Sequence, residues 1–148
     1  MISTKGRYAL RVVIDLAQQS QDNYIPLEEI ANRQGISKKY LESILKTLVS
    51  EKLLKGLRGK GGGYKLTKKP EEYTVLQILE LTEGSLASVA CLEKNAEPCP
   101  MMSRCITYPM WEKYDRIIHD YFKNITIQDL IDNAPDPLAG YEELNYCI

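Results

Sequence analysis

GISKKYLESILKTLVSEKLLKGLRGKGGGYKL, residues 35–66, is the stretch that decides the fold of this 148-residue chain. After Ser37, a residue type favoured at helix N-caps, apolar residues recur at helical spacing and predict an amphipathic helix; they are Leu41, Ile44, Leu45, Leu48 and Val49. Two short strand-like segments, residues 55–58 and 64–66, then flank a glycine-rich turn. A helix followed by such a hairpin is the arrangement of a winged helix-turn-helix.

The outer face of the predicted helix and the tip of the hairpin carry side chains suited to DNA. Lysines and short polar residues there can reach phosphates or base edges. The candidates on the helix are Ser37, Lys38, Lys39, Tyr40, Glu42, Ser43 and Lys46, with Thr47 on the same face, and those of the hairpin are Arg58, Gly59 and Lys60. Taken alone, a lysine-rich amphipathic helix is more often an ordinary solvated surface helix.

Two further helices are predicted upstream of this stretch. Residues 8–17 show an apolar face at helical spacing, and Pro26 suits the first turn of a second helix that Gly35 closes. The helix after Ser37 follows at once, which is the short connection that a helix-turn-helix requires. The order helix, turn, helix, basic hairpin therefore favours DNA binding. The glycine run lacks the G-x-x-x-x-G-K-[ST] spacing, which argues against a nucleotide-binding loop.

The charge of the chain is divided between its two halves. Residues 1–69 hold 14 lysines and arginines against 6 acidic residues, whereas residues 70–148 hold 5 against 14. The net charge of −1 therefore conceals a basic half and an acidic half. A basic half indicates contact with a polyanion, and chance clustering is the alternative. If the basic half binds phosphates, its affinity must fall steeply with salt.

The second half of the sequence predicts further helices, the first two of which are joined by a loop. Residues 75–83 form a short, strongly apolar helix, and residues 86–104 show no periodicity and read as a loop. Residues 109–124 return to a helical pattern with a wide apolar surface, which a dimer interface explains economically; packing back on the chain's own core is the alternative. Thr126 with Asp129 predicts the cap of one last short helix.

These patterns predict a mainly α chain whose winged helix-turn-helix domain carries a small two-stranded wing and is followed by a C-terminal dimerisation helix. The expected divisions are residues 1–84 for DNA binding, 85–107 for a cysteine-containing sensor loop, 108–132 for the dimerisation helix and a short terminal helix, and 133–148 for a flexible tail. No apolar run approaches a membrane span and the first residues lack a secretory segment, so we expect a cytoplasmic protein. Enzymatic motifs are missing, so we expect no catalysis.

Three of the four cysteines lie on the predicted loop. Cys91, Cys99 and Cys105 have the spacing C-x7-C-x5-C, and Cys147 lies near the end of the chain. Three thiolates on one loop can converge on an iron–sulfur cluster or a zinc ion. Three ordinary thiols, or a metal-free redox sensor favoured by the neighbouring Arg104, are the alternatives. The fourth ligand stays open between His119, Cys147 and a group of a second subunit.

Several motifs together resemble one family of bacterial winged-helix regulators, which includes the iron–sulfur-cluster regulator IscR, the nitric-oxide-responsive repressor NsrR and the cysteine-metabolism repressor CymR. The resemblance covers about residues 1–132. It is carried by STKGRYA at residues 3–9, by Ile36-Ser37 with Tyr40-Leu41-Glu42, by Arg58-Gly59 with Gly61-Gly62-Gly63-Tyr64, by the three cysteines, and by Asn124-Ile125-Thr126 with Asp129-Leu130.

The resemblance implies a homodimeric transcription regulator, expected to act as a repressor. Its recognition helix would enter the major groove of double-stranded DNA, and Arg58 would reach the adjacent minor groove. Cys91, Cys99 and Cys105 would hold a 2Fe–2S or 4Fe–4S cluster that modulates operator affinity. IscR-like members carry a histidine where this chain has Tyr108. A metal-free regulator controlled by a partner enzyme or by thiol redox state, as in CymR, is the alternative.

Overall fold

A computed structural model describes residues 2–135, and within them the chain is mainly helical with one small sheet. The elements are α1 (Thr4–Ala17), α2 (Leu27–Gln34), α3 (Lys38–Ser50), β1 (Leu54–Leu57), β2 (Gly63–Leu66), α4 (Val75–Glu83), α5 (Tyr108–Lys123) and α6 (Ile127–Asp132). The predicted fold class is confirmed. Of the expected tail, residues 133–148, the part beyond residue 135, with Cys147, lies outside the described residues.

The turn between α2 and α3 forms as the sequence predicts. Gly35 ends α2 in the left-handed conformation, with φ of 64°, which glycine adopts without steric cost. The backbone N–H of Ile36 then donates to the carbonyl of Ala31 (3.1 Å). Ser37 caps α3 by accepting the backbone N–H of Tyr40 (3.4 Å). The two helices are therefore joined by a short, hydrogen-bonded turn.

The hydrophobic core is built from one face of each helix of the N-terminal region. Leu41, Ile44, Leu45 and Leu48 of α3 are buried as predicted, and Val49 is half-buried. They pack in one cluster with apolar residues of α1, α2 and the base of the wing. The cluster also includes Ile78 of α4 and Ile127 of α6. The last short helix thus belongs to the same core as the helix-turn-helix.

One ion pair fixes α1 against α2 beside this core. Asp15 is 4% exposed, and both of its carboxylate oxygens accept hydrogen bonds from Arg33, at 2.9 and 2.8 Å. The side-chain amide of Gln34 donates a third, at 2.9 Å. The hydrogen bond to Asp15 raises the pKa of Arg33 above its ordinary value. This bidentate contact joins α1 to the last turn of α2, directly before the turn into α3.

The wing is a two-stranded antiparallel hairpin that is attached to the loop before α2. Its strands pair Leu54 with Leu66 and Leu57 with Gly63. Tyr64 also exchanges both backbone hydrogen bonds with Ile25, each at 2.9 Å. At Gly63, which has φ of 152°, a Cβ would collide with the carbonyl of Ile25. Glycine is therefore required for the wing to approach this loop.

A buried tyrosine holds the base of the wing to the C-terminal elements. The hydroxyl of Tyr73 donates to the carbonyl of Leu53 (2.7 Å) and accepts the backbone N–H groups of Thr67 (2.9 Å) and Lys68 (3.0 Å). Its own carbonyl accepts the backbone N–H of Ile127, at 2.9 Å. Tyr73 therefore joins the wing, the end of α3 and α6 at one point.

Helix α5 lies outside this core. None of its residues is buried in the single chain. It contacts α4, and the side away from α4 carries an apolar stripe of four large side chains that are 50% to 61% exposed: Met110, Tyr114, Ile117 and Tyr121. An apolar stripe of this size on one helix face is characteristic of a surface that a partner covers. None of the helices in the described part of the chain is long and apolar enough to cross a membrane.

Candidate nucleic-acid interface and cysteine loop

The outer face of α3 presents most of the predicted contact residues to solvent. Ser37, Lys38, Lys39, Glu42, Ser43 and Lys46 are all exposed. Lys38 is shared with α2, because its ammonium group lies 2.7 Å from the carboxylate of Glu28. This hydrogen bond lowers the pKa of Glu28. Among the lysines predicted on this helix, Lys39 and Lys46 therefore present positive charge that no carboxylate of the described chain pairs.

Tyr40 differs from the other predicted residues because it is half-buried. Its ring meets the edge of the Tyr8 ring, with centroids 5.9 Å apart and planes at 72°. The guanidinium group of Arg11 lies over the Tyr8 ring, 5.2 Å from its centroid. Arg11 also donates to the carbonyl of Gln34 (2.7 Å). Tyr40 therefore contributes to docking α3 on α1 as well as to the exposed surface.

A groove of about 360 Å³ separates α3 from the wing. Glu42 and Lys46 line it from the helix, and Arg58 lines it from the wing together with Leu57 and Tyr64. Residues of α3 and of the wing that lie 11 positions or more apart in sequence are thus brought to the same side of the molecule. The recognition helix and the wing therefore present one continuous surface.

The tip of the wing projects Arg58 and Lys60, both exposed. Gly59 and Gly61 have φ of 91° and 74°, the left-handed region that favours glycine. The backbone N–H of Gly62 donates to the carbonyl of Gly59, at 3.0 Å, and closes the turn. The glycine run is thus explained by the tight turn, without any nucleotide.

Lys5, in the first turn of α1, is a basic residue that the sequence motifs do not place beside α3. The ammonium group of Lys5 donates to the hydroxyl of Thr47 on the outer side of α3, at 3.4 Å. The basic residues within STKGRYA were a sequence signal for this, but no periodicity relates them to α3. Only the packing of α1 across α3 reveals the contact.

The segment between α4 and α5 carries the three cysteines and is attached at two points. The backbone N–H of Ser88 donates to Asp115 on α5 (3.0 Å), and Lys94 lies 3.3 Å from Glu80 on α4. These contacts border an open cavity of about 630 Å³ between the segment, α4 and α5. Two short 3-10 turns, Ala90–Leu92 and Met102–Arg104, interrupt the predicted loop.

The three thiols of this segment differ in their surroundings. Cys91, Cys99 and Cys105 are all free and half-exposed. Hydrogen bonding to the side chain of Thr107, whose hydroxyl oxygen lies 3.4 Å from the sulfur, lowers the pKa of Cys105. The backbone N–H groups of Thr107 and Tyr108 act in the same direction. These hydrogen bonds favour the reactive thiolate form of Cys105.

The chemistry of the three cysteines suits a metal, whereas the arrangement of the loop does not form a metal site. Three thiolates are the ligand type that iron–sulfur clusters and zinc require. Within residues 2–135, however, no three histidine, cysteine or acidic side chains converge on a position that could hold a metal ion. The residues thus fit the group by chemistry, whereas this conformation of the loop does not assemble them.

The fold and the surface define a winged helix-turn-helix protein of the DNA-binding class. Comparison with known proteins identifies its family: residues 2–133 match the model of the Rrf2 family, described as iron-dependent transcriptional regulators. The chain therefore belongs to the Rrf2 family and is a transcriptional regulator rather than an enzyme.

Individual relatives agree with this assignment. The HTH-type transcriptional regulator IscR of Pectobacterium atrosepticum is 36% identical over 132 residues, which cover 89% of this chain and 79% of the relative. The solved structure of T. potens IscR is similar with a TM-score of 0.72 and 30% identity, over 95% of this chain and 92% of that one. CymR, the global cysteine regulator of B. subtilis, gives a TM-score of 0.69 at 29% identity, over 91% and 98%.

Proposed function

We propose that this regulator reads double-stranded DNA with α3 in the major groove and the wing against the neighbouring backbone or minor groove. The observation that carries this assignment is the groove that Lys46 of α3 and Arg58 of the wing both line. A major groove is wide enough for one helix, and a flanking arginine suits a narrow, negatively charged minor groove. Such a regulator would act in the cytoplasm, where bacterial DNA lies.

Two copies of the chain would form the functional unit. The apolar stripe of α5 has no cover within the described chain, and a two-fold axis would bring it against the same stripe of a second copy. A two-fold dimer also places two recognition helices on successive turns of one DNA face. The proposed unit is therefore a homodimer on a palindromic operator.

Substitutions on the DNA surface test the proposal. Arg58→Ala should weaken binding to a duplex selected from a random pool by about tenfold, as expected for loss of a specific arginine contact. Lys39→Ala should lower the slope of log affinity against log salt by about 0.9, the value for one phosphate contact. Lys123→Ala, at the far end of α5, is the matched control. Equal affinities for all three variants in fluorescence anisotropy would refute the proposed interface.

The finer part of the proposal concerns the cysteine loop. We propose that an iron–sulfur cluster, held by Cys91, Cys99 and Cys105, modulates operator affinity. The thiolate donor set and the similarity to regulators named IscR support this assignment. A bound cluster would supply sensitivity to oxygen and one-electron redox chemistry. The chain's own contribution is to attach the loop to α4 and α5, so that its conformation is linked to the body that binds DNA.

Anaerobic purification tests the cluster directly. We expect iron, acid-labile sulfide and visible absorbance in the unmodified protein, with all three lost in Cys99→Ala. Operator affinity of the unmodified protein should change when iron is removed, and that of Cys99→Ala should not. A colourless, iron-free protein with an unchanged operator affinity would remove the cluster from the proposal.

The second candidate is a metal-free regulator controlled by a partner enzyme or by thiol redox state. The specific observation in its favour is that the described loop does not bring its thiols into one ligand group. The structural similarity to CymR points in the same direction. Co-purification of a metabolic enzyme without iron would favour it over the cluster.

A further inference from the structure

Glu83 lies at the point where the folded body meets the cysteine loop. It is the last residue of α4, and Gly84, with φ of 78°, turns the chain into the loop. Its side chain does not point along the loop but returns to the start of α1. The backbone N–H and the hydroxyl of Ser3 both donate to the carboxylate of Glu83, at 3.1 and 2.7 Å.

The first turn of α1 is shaped to receive this carboxylate. Ser3 is the N-cap of the helix, and its hydroxyl oxygen accepts the backbone N–H of Gly6 at 3.1 Å. Gly6 is buried, and a Cβ at this position would collide with the carboxylate of Glu83. A negative charge beside the N-terminus of a helix is also favoured by the helix dipole. The contact therefore depends on Ser3 and Gly6 in the first turn of α1 and on the carboxylate of Glu83 at the end of α4.

The same turn of α1 contacts the recognition helix on its other side. Lys5 donates to the hydroxyl of Thr47, at 3.4 Å, and Tyr8 meets the ring of Tyr40 one turn further along. Thr47 itself donates to the carbonyl of Ser43 on the exposed face of α3. A displacement of the first turn of α1 must therefore change contacts on the helix that reads DNA.

We propose that Glu83 is a positioning residue: it holds the first turn of α1 against α3 and thereby couples the cysteine loop to DNA binding. The proposal rests on the DNA-binding function proposed above. It does not depend on which group the loop binds, because the contact is made by the chain itself. Coupling of this kind is reciprocal, so DNA must also change the state of the loop.

Reciprocity supplies a readout that a purely structural role would not move. The rate at which iodoacetamide alkylates Cys91, Cys99 and Cys105 is measured by peptide mass spectrometry, on reduced full-length protein with and without a duplex selected from a random pool. We expect the DNA to change the rate of at least one loop cysteine by about fivefold or more, the lower end of typical allosteric coupling. In Glu83→Ala, the ratio of the alkylation rates with and without DNA should fall to about one.

A second variant separates coupling from stability. Gly6→Ala introduces a Cβ where the carboxylate lies, yet alanine is a better helix former than glycine. We therefore expect Gly6→Ala to keep the melting temperature of the unmodified protein and to lose the DNA-dependent change. Glu112→Gln is the control, because it neutralises an exposed carboxylate that contacts Arg116 on its own helix. Glu112→Gln should show the same DNA-dependent change in alkylation rate as the unmodified protein.

The outcomes distinguish this inference from the function on which it rests. A DNA-dependent alkylation rate that survives both Glu83→Ala and Gly6→Ala would overturn the inference and leave DNA binding intact. Loop cysteines that react equally with and without DNA in the unmodified protein would overturn it as well. Failure of the unmodified protein to select any duplex would overturn the proposed function, and this inference with it.

Discussion

Asp15 is a buried charged residue that joins α1 to α2 of the helix-turn-helix. Its carboxylate accepts three hydrogen bonds from α2 while the surrounding core excludes water. Breaking a buried pair typically costs 3–5 kcal/mol, and the one-third exposure of Arg33 reduces that figure. We expect Asp15→Ala to lower the free energy of unfolding by about 2–3 kcal/mol in urea titration.

The control for this change lies on the same guanidinium group. Glu29 contacts Arg33 at 3.5 Å from the solvent side. An exposed pair on one helix contributes about 0.5 kcal/mol or less, so Glu29→Ala should be nearly neutral. Equal losses for the two variants would show that burial of Asp15 is not what stabilises the α1–α2 contact.

Cys105 gives a residue-level prediction that depends on pH. Because hydrogen bonding to Thr107 favours the thiolate, the pKa of Cys105 is lowered, and its alkylation should reach half-maximal rate at a lower pH than an ordinary thiol. Thr107→Val removes the hydroxyl and should shift the midpoint to higher pH. The measurement is the alkylation rate of the Cys105 peptide against pH, with the Cys91 peptide as an internal control. A midpoint that Thr107→Val leaves unchanged would contradict the assigned cause.

At the scale of elements, the attachment of the wing depends on Gly63. The carbonyl of Ile25 occupies the place of a Cβ, and φ of 152° is unfavourable for other residues. We expect Gly63→Ala to separate the wing from the loop before α2, lowering the melting temperature and weakening DNA binding about tenfold or more. Strain at such a position typically costs 1–3 kcal/mol. Circular dichroism and fluorescence anisotropy measure the two effects.

The hairpin itself contains the control. A Cβ at Gly56 would meet the ring of Tyr64 at 3.4 Å and the side chain of Val49 at 3.8 Å, both ordinary contacts. Gly56→Ala should therefore leave the melting temperature close to that of the unmodified protein. Gly56 lines the groove between α3 and the wing, so it is a control for stability and not for DNA binding. If Gly56→Ala and Gly63→Ala behaved alike, the loss would reflect reduced flexibility of the hairpin and not the contact with Ile25.

The elements were predictable from the sequence where local chemistry decides them. Ser37 and the pair Thr126–Asp129 cap helices as expected, because a cap depends on residues within one turn. The attachment of Ile25 to the wing was not predictable, since no periodicity relates these segments. The sequence predicted the residue types of the proposed DNA-binding surface, whereas the groove that Lys46 and Arg58 both line depends on the packing of the wing. The contact of Glu83 with Ser3 spans 80 positions and has no local signal.

At the scale of the whole molecule, the basic and acidic halves of the sequence have different roles. The exposed lysines and arginine of α3 and the wing lie in the basic half, whereas α5 and the cysteine loop lie in the acidic half. Negative charge on the second half would disfavour its approach to DNA and so orient the molecule with α3 toward the phosphates. The charge division therefore supports one direction of docking.

The proposed dimer rests on the exposed apolar stripe of α5. In a two-fold arrangement, each side chain of the apolar stripe on α5 would be covered by the same stripe of the second copy. Ile117 is 57% exposed at the middle of this stripe, so Ile117→Glu would bury a charge at the interface. We expect at least a tenfold increase in the dimer dissociation constant by analytical ultracentrifugation, with a parallel loss of operator affinity. Lys123→Glu, also exposed on α5 but outside the stripe, is the control and should remain dimeric. If Ile117→Glu stayed dimeric at the concentrations of the unmodified protein, α5 would not be the interface, and the spacing of two recognition helices would have to be set by another surface.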